Sequence, residues 1–87
     1  MLEAIEQTSA CRILILLLKE AYPVSEIIYK VGASQQAVYN ALRKLKDAGL
    51  IQEELEKEFP RRRLISLTDK GRKVAEKLEE IERLLSK

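Results

Sequence analysis

The sequence predicts a mainly α fold with a small β-hairpin (α+β), in the order α-α-α-β-β-α. Three observations carry this. Apolar residues in VSEIIYKVGASQQAVYNALRKLKDAGL (24–50) recur at helical spacing on both sides of a short break containing Gly32. The segments flanking Phe59-Pro60 alternate apolar and polar residues with period two, and residues 69–85 return to helical spacing.

Each element has a local cause. Thr8 or Ser9 offers a cap for a first helix expected to run through Arg12 to about Ala21, where Pro23 restricts Tyr22 and stops it. Its centre, ILILLL, is apolar on nearly every face, so part of it is expected to lie against a second subunit. Leu2 and Ile5 either prolong this helix backwards or form a separate arm. Ser25 is expected to cap a second helix that points Ile27, Ile28 and Val31 inward, and Gly32 supplies its left-handed end. Ser34 caps a third helix only two residues later, and two helices joined this closely form a helix-turn-helix signature. Val38, Ala41, Leu42, Leu45 and Ala48 make the core stripe of that third helix, which Gly49 ends.

Ile51 and Leu55 before Phe59-Pro60, and Ile65 and Leu67 after it, then predict an antiparallel hairpin turning near 58–62. Pro60 belongs at its tip because it cannot donate to a strand ladder. Thr68 caps a final helix from Asp69 to about Leu85, whose Val74, Leu78, Ile81 and Leu85 follow an a/d spacing. Leu14, Leu17 and Leu18 of the first helix join these four as the expected dimer interface.

An 87-residue chain accommodates one domain with a small core, and a catalytic pocket beside that core would be cramped. With 46% hydrophobic and 34% charged residues it has the composition of a folded, soluble protein. The longest apolar run, Ile13 to Leu18, falls far short of the ~20 residues that span a bilayer. Charged flanks do not match a secretory signal, so a cytoplasmic location without membrane contact is expected. One cysteine, Cys11, and no histidine argue against a metal centre or a Cys-based nucleophile, and no enzymatic role is expected. Cys11 itself is expected to be an ordinary helix residue, with a redox-sensing thiol as the minority alternative.

The net charge of +2 conceals an uneven distribution. Residues 34–49 hold three basic side chains and one acidic, 61–74 hold six and one, whereas 50–60 hold one and four. Positive charge gathered in patches is the footprint of a nucleic-acid binder. The third helix also concentrates Gln35, Gln36 and Asn40, two of the chain's four glutamines and its single asparagine. Such amides present a donor beside an acceptor, which matches the N6/N7 edge of adenine in the major groove. Gln36, Tyr39, Asn40 and Arg43 occupy the side opposite the core stripe, with Gln35 at its edge. The alternative is an ordinary solvated face, against which stands the use of Glu and Lys on the chain's other exposed faces.

PVSEIIYKVGASQQAVYNALRKLKDAGLI and RRRLISLTDKG, with their LxxLxxAGLI and LTxxG patterns, resemble the winged helix-turn-helix domain of small bacterial and archaeal transcriptional regulators. The likeness is greatest to the multiple-antibiotic-resistance (MarR) and arsenical-resistance (ArsR) types and covers nearly the whole chain. It implies a single domain over 1–87, with the helix-turn-helix at about 25–48, the wing at about 50–67 and a dimerisation helix at about 69–86. It makes 34–47 a recognition helix in the major groove of double-stranded DNA and 57–63 a wing on the backbone or minor groove. Gln35, Gln36, Tyr39, Asn40 and Arg43 would then face the major groove, the amides toward adenine and Arg43 toward guanine or phosphate, with Ser34 among the DNA-binding residues at the head of the helix. Lys44 and Lys46 would contact backbone, and Arg61, Arg62 and Arg63 would enter the minor groove or lie along phosphates.

Two features depart from the pattern. Ile28 stands where such regulators usually place a small residue at the helix crossing, which implies a wider crossing. Glu53, Glu54, Glu56 and Glu58 make the first wing strand acidic, so either they pair with Arg61–Arg63 or the wing stays off DNA. One cysteine and no histidine do not suit arsenical-type metal sensing, and the chain lacks the long helices of an antibiotic-type ligand pocket. No cofactor is expected and no small-molecule effector is assigned. The leading expectation is a homodimeric, sequence-specific repressor that blocks promoter access; the alternative is a winged-helix protein-interaction module.

Overall fold

A computed structural model describes Ala4 and residues 8–86. It contains α1 (Thr8–Leu17), α2 (Val24–Val31), α3 (Gln35–Asp47), β1 (Ile51–Leu55), β2 (Arg63–Leu67) and α4 (Asp69–Leu85), the expected order. Leu2 and Ile5, and hence the choice between arm and helix extension, lie outside the described residues.

The core is aliphatic apart from Tyr22. Ile13, Leu14 and Leu17 of α1 meet Ile27 of α2, Val38 and Leu45 of α3, Ile51, Ile65 and Leu67 of the hairpin and Ala75 of α4. Removing such side chains from water contributes roughly 1.5–3 kcal/mol each, and this burial orients the helices.

Helix α1 ends four residues before the expected Ala21. The reason is tertiary: Tyr22 forms an isolated antiparallel bridge with Ile65, donating at 3.2 Å and accepting at 2.8 Å. A residue extended alongside β2 cannot also be helical, so 18–22 leaves the helix. Helix α2 begins at Val24 behind Pro23, with no side-chain cap. Ser25 therefore lies inside the first turn, which corrects its expected capping role.

Gly32 (φ 74°) and Gly49 (φ 77°) end α2 and α3 in the left-handed region, where a glycine meets no Cβ penalty. Ser34 caps α3 by accepting from the Ala37 amide at 3.1 Å. Val38, Ala41, Leu42 and Leu45 are buried, so the period-3.6 stripe is its inner face.

The hairpin pairs Ile51 with Leu67, Glu53 with Ile65 and Leu55 with Arg63. Those residues share one face, yet Ile51 is buried and Leu55 is exposed. The strands diverge from the core beyond Glu53, so alternation continues after there is anything left to pack against.

The first helix also behaves differently from expectation. Leu14 and Leu17, assigned to a subunit seam, are 0% and 2% exposed within a single chain. A side chain already out of water has no surface to offer a partner, so these two belong to the chain's own core. Leu18, Val74 and Leu78 are partly buried against the same core, whereas Ile81 and Leu85 are exposed.

Candidate nucleic-acid interface

Helix α3 carries its polar row outward because its apolar row is fixed inward. Residues 36, 40 and 43 follow one another at helical spacing on the side away from Val38, Ala41, Leu42 and Leu45. Gln35, Gln36, Arg43 and Lys44 are exposed, Asn40 is half-buried, and Asp47 closes the row at its C-terminal end. Arg43 Nη2 donates to Asn40 Oδ1 at 2.9 Å, which orders two neighbouring side chains along the row. That carbonyl retains a second lone pair, and the Asn40 amide keeps two N–H donors in addition.

The N-terminal turn of α3 contains no acidic residue, so the positive end of the helix dipole is not offset there. Ser34 and Gln35 stand at that end, where backbone N–H groups suit an anion. At the opposite end, Lys44 and Lys46 complement the negative pole.

Tyr39, Arg43 and Lys46 form one wall of an open apolar cleft of about 350 Å³, with Ile51, Gln52 and Glu53 of β1 opposite. Helix α3 and the wing thus flank one groove. Lys46 donates to Glu53 across it at 3.1 Å, and Arg63 approaches the other oxygen of Glu53 at 3.9 Å. Arg62 bonds to Glu56 and lies 3.9 Å from Glu26 of α2. The hydrogen bond and charge of Glu56 raise the pKa of the Arg62 guanidinium above its already high ordinary value. Arg61 is exposed. Of the expected phosphate-facing cations, three therefore rest on carboxylates.

The spacing between helix and wing is set by a knot at their shared root. Gly71 in the first turn of α4 sits so close to Leu50 that a Cβ would fall 1.8 Å from the Leu50 carbonyl oxygen. Thr68 donates its hydroxyl to Gly49 O at 2.6 Å and accepts from the Gly71 amide at 3.0 Å. Its own amide bonds Leu50 O at 3.1 Å, while Lys70 reaches Ala48 O at 3.2 Å. These contacts join the end of α3, the start of β1 and the start of α4. Gly71 and Glu26 were not singled out from sequence. The LTxxG pattern pointed to the first, but nothing local to 24–31 pointed to the second.

Cys11 is half-buried in α1, and burial raises its thiol pKa, favouring the protonated form. Among the described residues no group of His, Cys, Asp and Glu side chains could hold a metal ion.

A helix-turn-helix followed by a hairpin and a closing helix, with the exposed face of α3 beside the hairpin, defines a winged helix-turn-helix protein. The chain belongs to the HxlR-like helix-turn-helix family, whose model matches residues 5–87. This narrows the resemblance seen in sequence. Among solved structures, the chain is similar to an E41A mutant of ZitR from Lactococcus lactis, at 32% identity and a TM-score of 0.82, over 92% of this chain and 56% of ZitR. It therefore spans little more than half the length of that relative. The fold also matches the putative transcriptional regulator ytfH from Salmonella typhimurium, at 21% identity and a TM-score of 0.84, over 98% of this chain and 77% of that one. AF1382 from Archaeoglobus fulgidus aligns at 23% identity and a TM-score of 0.77, over 99% of this chain and 97% of its own. A comparison with curated proteins gives no match.

Proposed function

We propose that the chain acts as a single winged helix-turn-helix domain over 1–87 and is a sequence-specific regulator of transcription that binds double-stranded DNA as a homodimer. Its helix-turn-helix occupies about 25–48, its wing about 50–67 and its dimerisation helix about 69–86. The observation that carries this reading is the outward row Gln36, Asn40 and Arg43, ordered by the Arg43–Asn40 hydrogen bond. Membership of the HxlR-like helix-turn-helix family supports it.

In this reading α3 enters the major groove. Gln36 and Asn40 read adenine edges, Arg43 takes guanine or a phosphate, and Tyr39 meets a thymine methyl or the backbone. Ser34 and Gln35 approach a phosphate at the helix N-terminus, while Lys44 and Lys46 follow the backbone. Arg61, Arg62 and Arg63 belong to the wing contact, the last two after exchanging carboxylate for phosphate. Regulation is by repression, through occupation of promoter DNA.

The proposed dimer surface loses Leu14 and Leu17 of α1 and centres on the end of α4, where Ile81 and Leu85 are joined by Leu84 and the three are 51%, 81% and 67% exposed. A two-fold dimer would bind a pseudo-palindrome with half-sites about one helical turn, ~34 Å, apart. Among the described residues no helix is long and apolar enough to cross a membrane. We assign a cytoplasmic location and neither cofactor, effector nor catalytic role.

The pairing of Lys46, Arg62 and Arg63 with carboxylates favours a second reading, a protein-interaction module that leaves DNA alone. Selection from random duplex DNA, followed by a salt titration of the enriched site, separates the two. A regulator enriches a two-fold motif and loses affinity steeply with salt, because each phosphate contact releases condensed counterions. Failure to enrich a motif, with a flat salt response, would overturn the DNA-binding assignment.

A further inference from the structure

The chain's single phenylalanine stands at the end of the wing, 95% exposed. A phenyl ring in water contributes nothing to the fold, although aromatic rings bury 150–250 Å² where they are packed. Residues 57–63 surround it with four cations, Lys57, Arg61, Arg62 and Arg63, against one carboxylate, Glu58. These cations divide into two groups. Arg62 is held by Glu56 and lies near Glu26 of α2, and Arg63 turns toward Glu53 in the middle of β1. Lys57, Phe59 and Arg61 remain as the forward chemistry of the tip, and all three are exposed. Pro60 follows the ring directly and removes one backbone torsion beside it, which lowers the entropy lost when the ring is immobilised.

An apolar ring between cations suits a polyanionic surface that also offers apolar faces, which is what stacked bases between phosphates present. In the minor groove, apolar side chains wedge between base pairs, unstack a step and kink the duplex, while neighbouring cations hold the phosphates. We infer that Phe59 is the wing's principal DNA contact, inserting at a base step in the minor groove beside the major groove occupied by α3, with Lys57 and Arg61 on the flanking phosphates. This rests on the base-reading role proposed for α3. It changes the chemistry of the second contact from an arginine clamp to an aromatic wedge. Its consequence is specificity outside the half-site: pyrimidine–purine steps unstack most easily, so one should be preferred at the tip without any hydrogen bond to its bases.

The test is duplex selection with the full chain and with Phe59→Ala, followed by end-to-end energy transfer on the enriched site to measure bending. The unaltered chain should enrich a core motif with a flanking TA or CA/TG step and bend the duplex. Phe59→Ala should keep the core motif, lose the flanking preference and the bend, and bind the flanked site on the order of tenfold more weakly with its salt slope unchanged. An unaltered melting temperature would show that the exposed ring was not needed for folding. Retention of the flanking preference and the bend by Phe59→Ala would overturn the wedge while leaving base reading by α3 intact. A change in self-association without a change in DNA binding would assign the ring to a second copy and also overturn it. Enrichment of no core motif by the unaltered chain would remove both readings together.

Discussion

Along α3, Arg43 donates to Asn40 within the same outward row, so the charge stays on the surface and a neighbouring amide is ordered beside it. In the wing, Arg62 instead bonds Glu56, and Arg63 and Lys46 converge on Glu53. The two regions carry similar numbers of cations, three and four, but the hairpin sets four carboxylates against its own and α3 only one. A guanidinium paired to an amide can meet DNA as it stands, whereas one paired to a carboxylate must first exchange its partner. The exchange is affordable because exposed ion pairs contribute only about 0–1 kcal/mol. Under the proposed DNA-binding role, α3 would supply the standing specificity and the wing's affinity would depend on competition between phosphate and its own glutamates.

The largest expected effect comes from the root that sets helix and wing side by side. Gly71→Ala would drive a methyl into the Leu50 carbonyl, which α4 can relieve only by moving away. Urea unfolding should register a loss of about 3 kcal/mol or more, with DNA binding failing alongside. An unchanged midpoint would mean that α4 and β1 are not held at this spacing.

Next in size is the recognition row. Gln36→Ala combined with Asn40→Ala should reduce discrimination between the selected site and scrambled duplex by roughly 1–3 kcal/mol for each base lost, with little change in binding to scrambled DNA. Competition titrations measure this ratio directly. Equal weakening on both duplexes would transfer these residues from base reading to backbone contact.

The smallest effect has the opposite sign. Glu53→Gln removes the carboxylate shared by Lys46 and Arg63, and binding should tighten by up to about tenfold at low salt. The salt slope should steepen by ~0.9 for each cation that gains a phosphate. Thermal stability should change by less than about 1 kcal/mol, since both pairs are exposed. Unchanged affinity and slope would show that the wing cations do not reach the backbone, which would erase the contrast between the two regions.

Where local chemistry decides the backbone, the sequence was legible. Ser34 and Thr68 cap α3 and α4 as their positions predicted, and Gly32 and Gly49 take the left-handed turns. The outward placement of Gln36 and Arg43 followed from the inward stripe, because a helix with one face buried has its opposite face determined. The early end of α1 was not legible, since it depends on Tyr22 pairing with Ile65, forty-three positions away. Nor was the fate of the a/d pattern in α4. Val74 and Leu78 pack on the chain's own core while Ile81 and Leu85 do not, although all four share one spacing. Periodicity marks an apolar face; it does not say what covers it.

By itself, the sequence determined the order of elements, the helix-turn-helix and the amide face of α3, because caps, left-handed glycines and period-3.6 burial act over a few residues. Only the tertiary structure decided which cations remain available. Within the hairpin Arg63 meets Glu53 and Arg62 meets Glu56, one of the two outcomes the sequence left open, while Lys46 of α3 reaches Glu53 and Glu26 of α2 lies near Arg62, contacts between elements that local sequence cannot bring together. It decided as well that Leu14 and Leu17 lie in the core and that Phe59 stands alone at the tip. Burial and ion pairing depend on the neighbours a side chain acquires in space, and those neighbours exist only once the helices and the hairpin have packed.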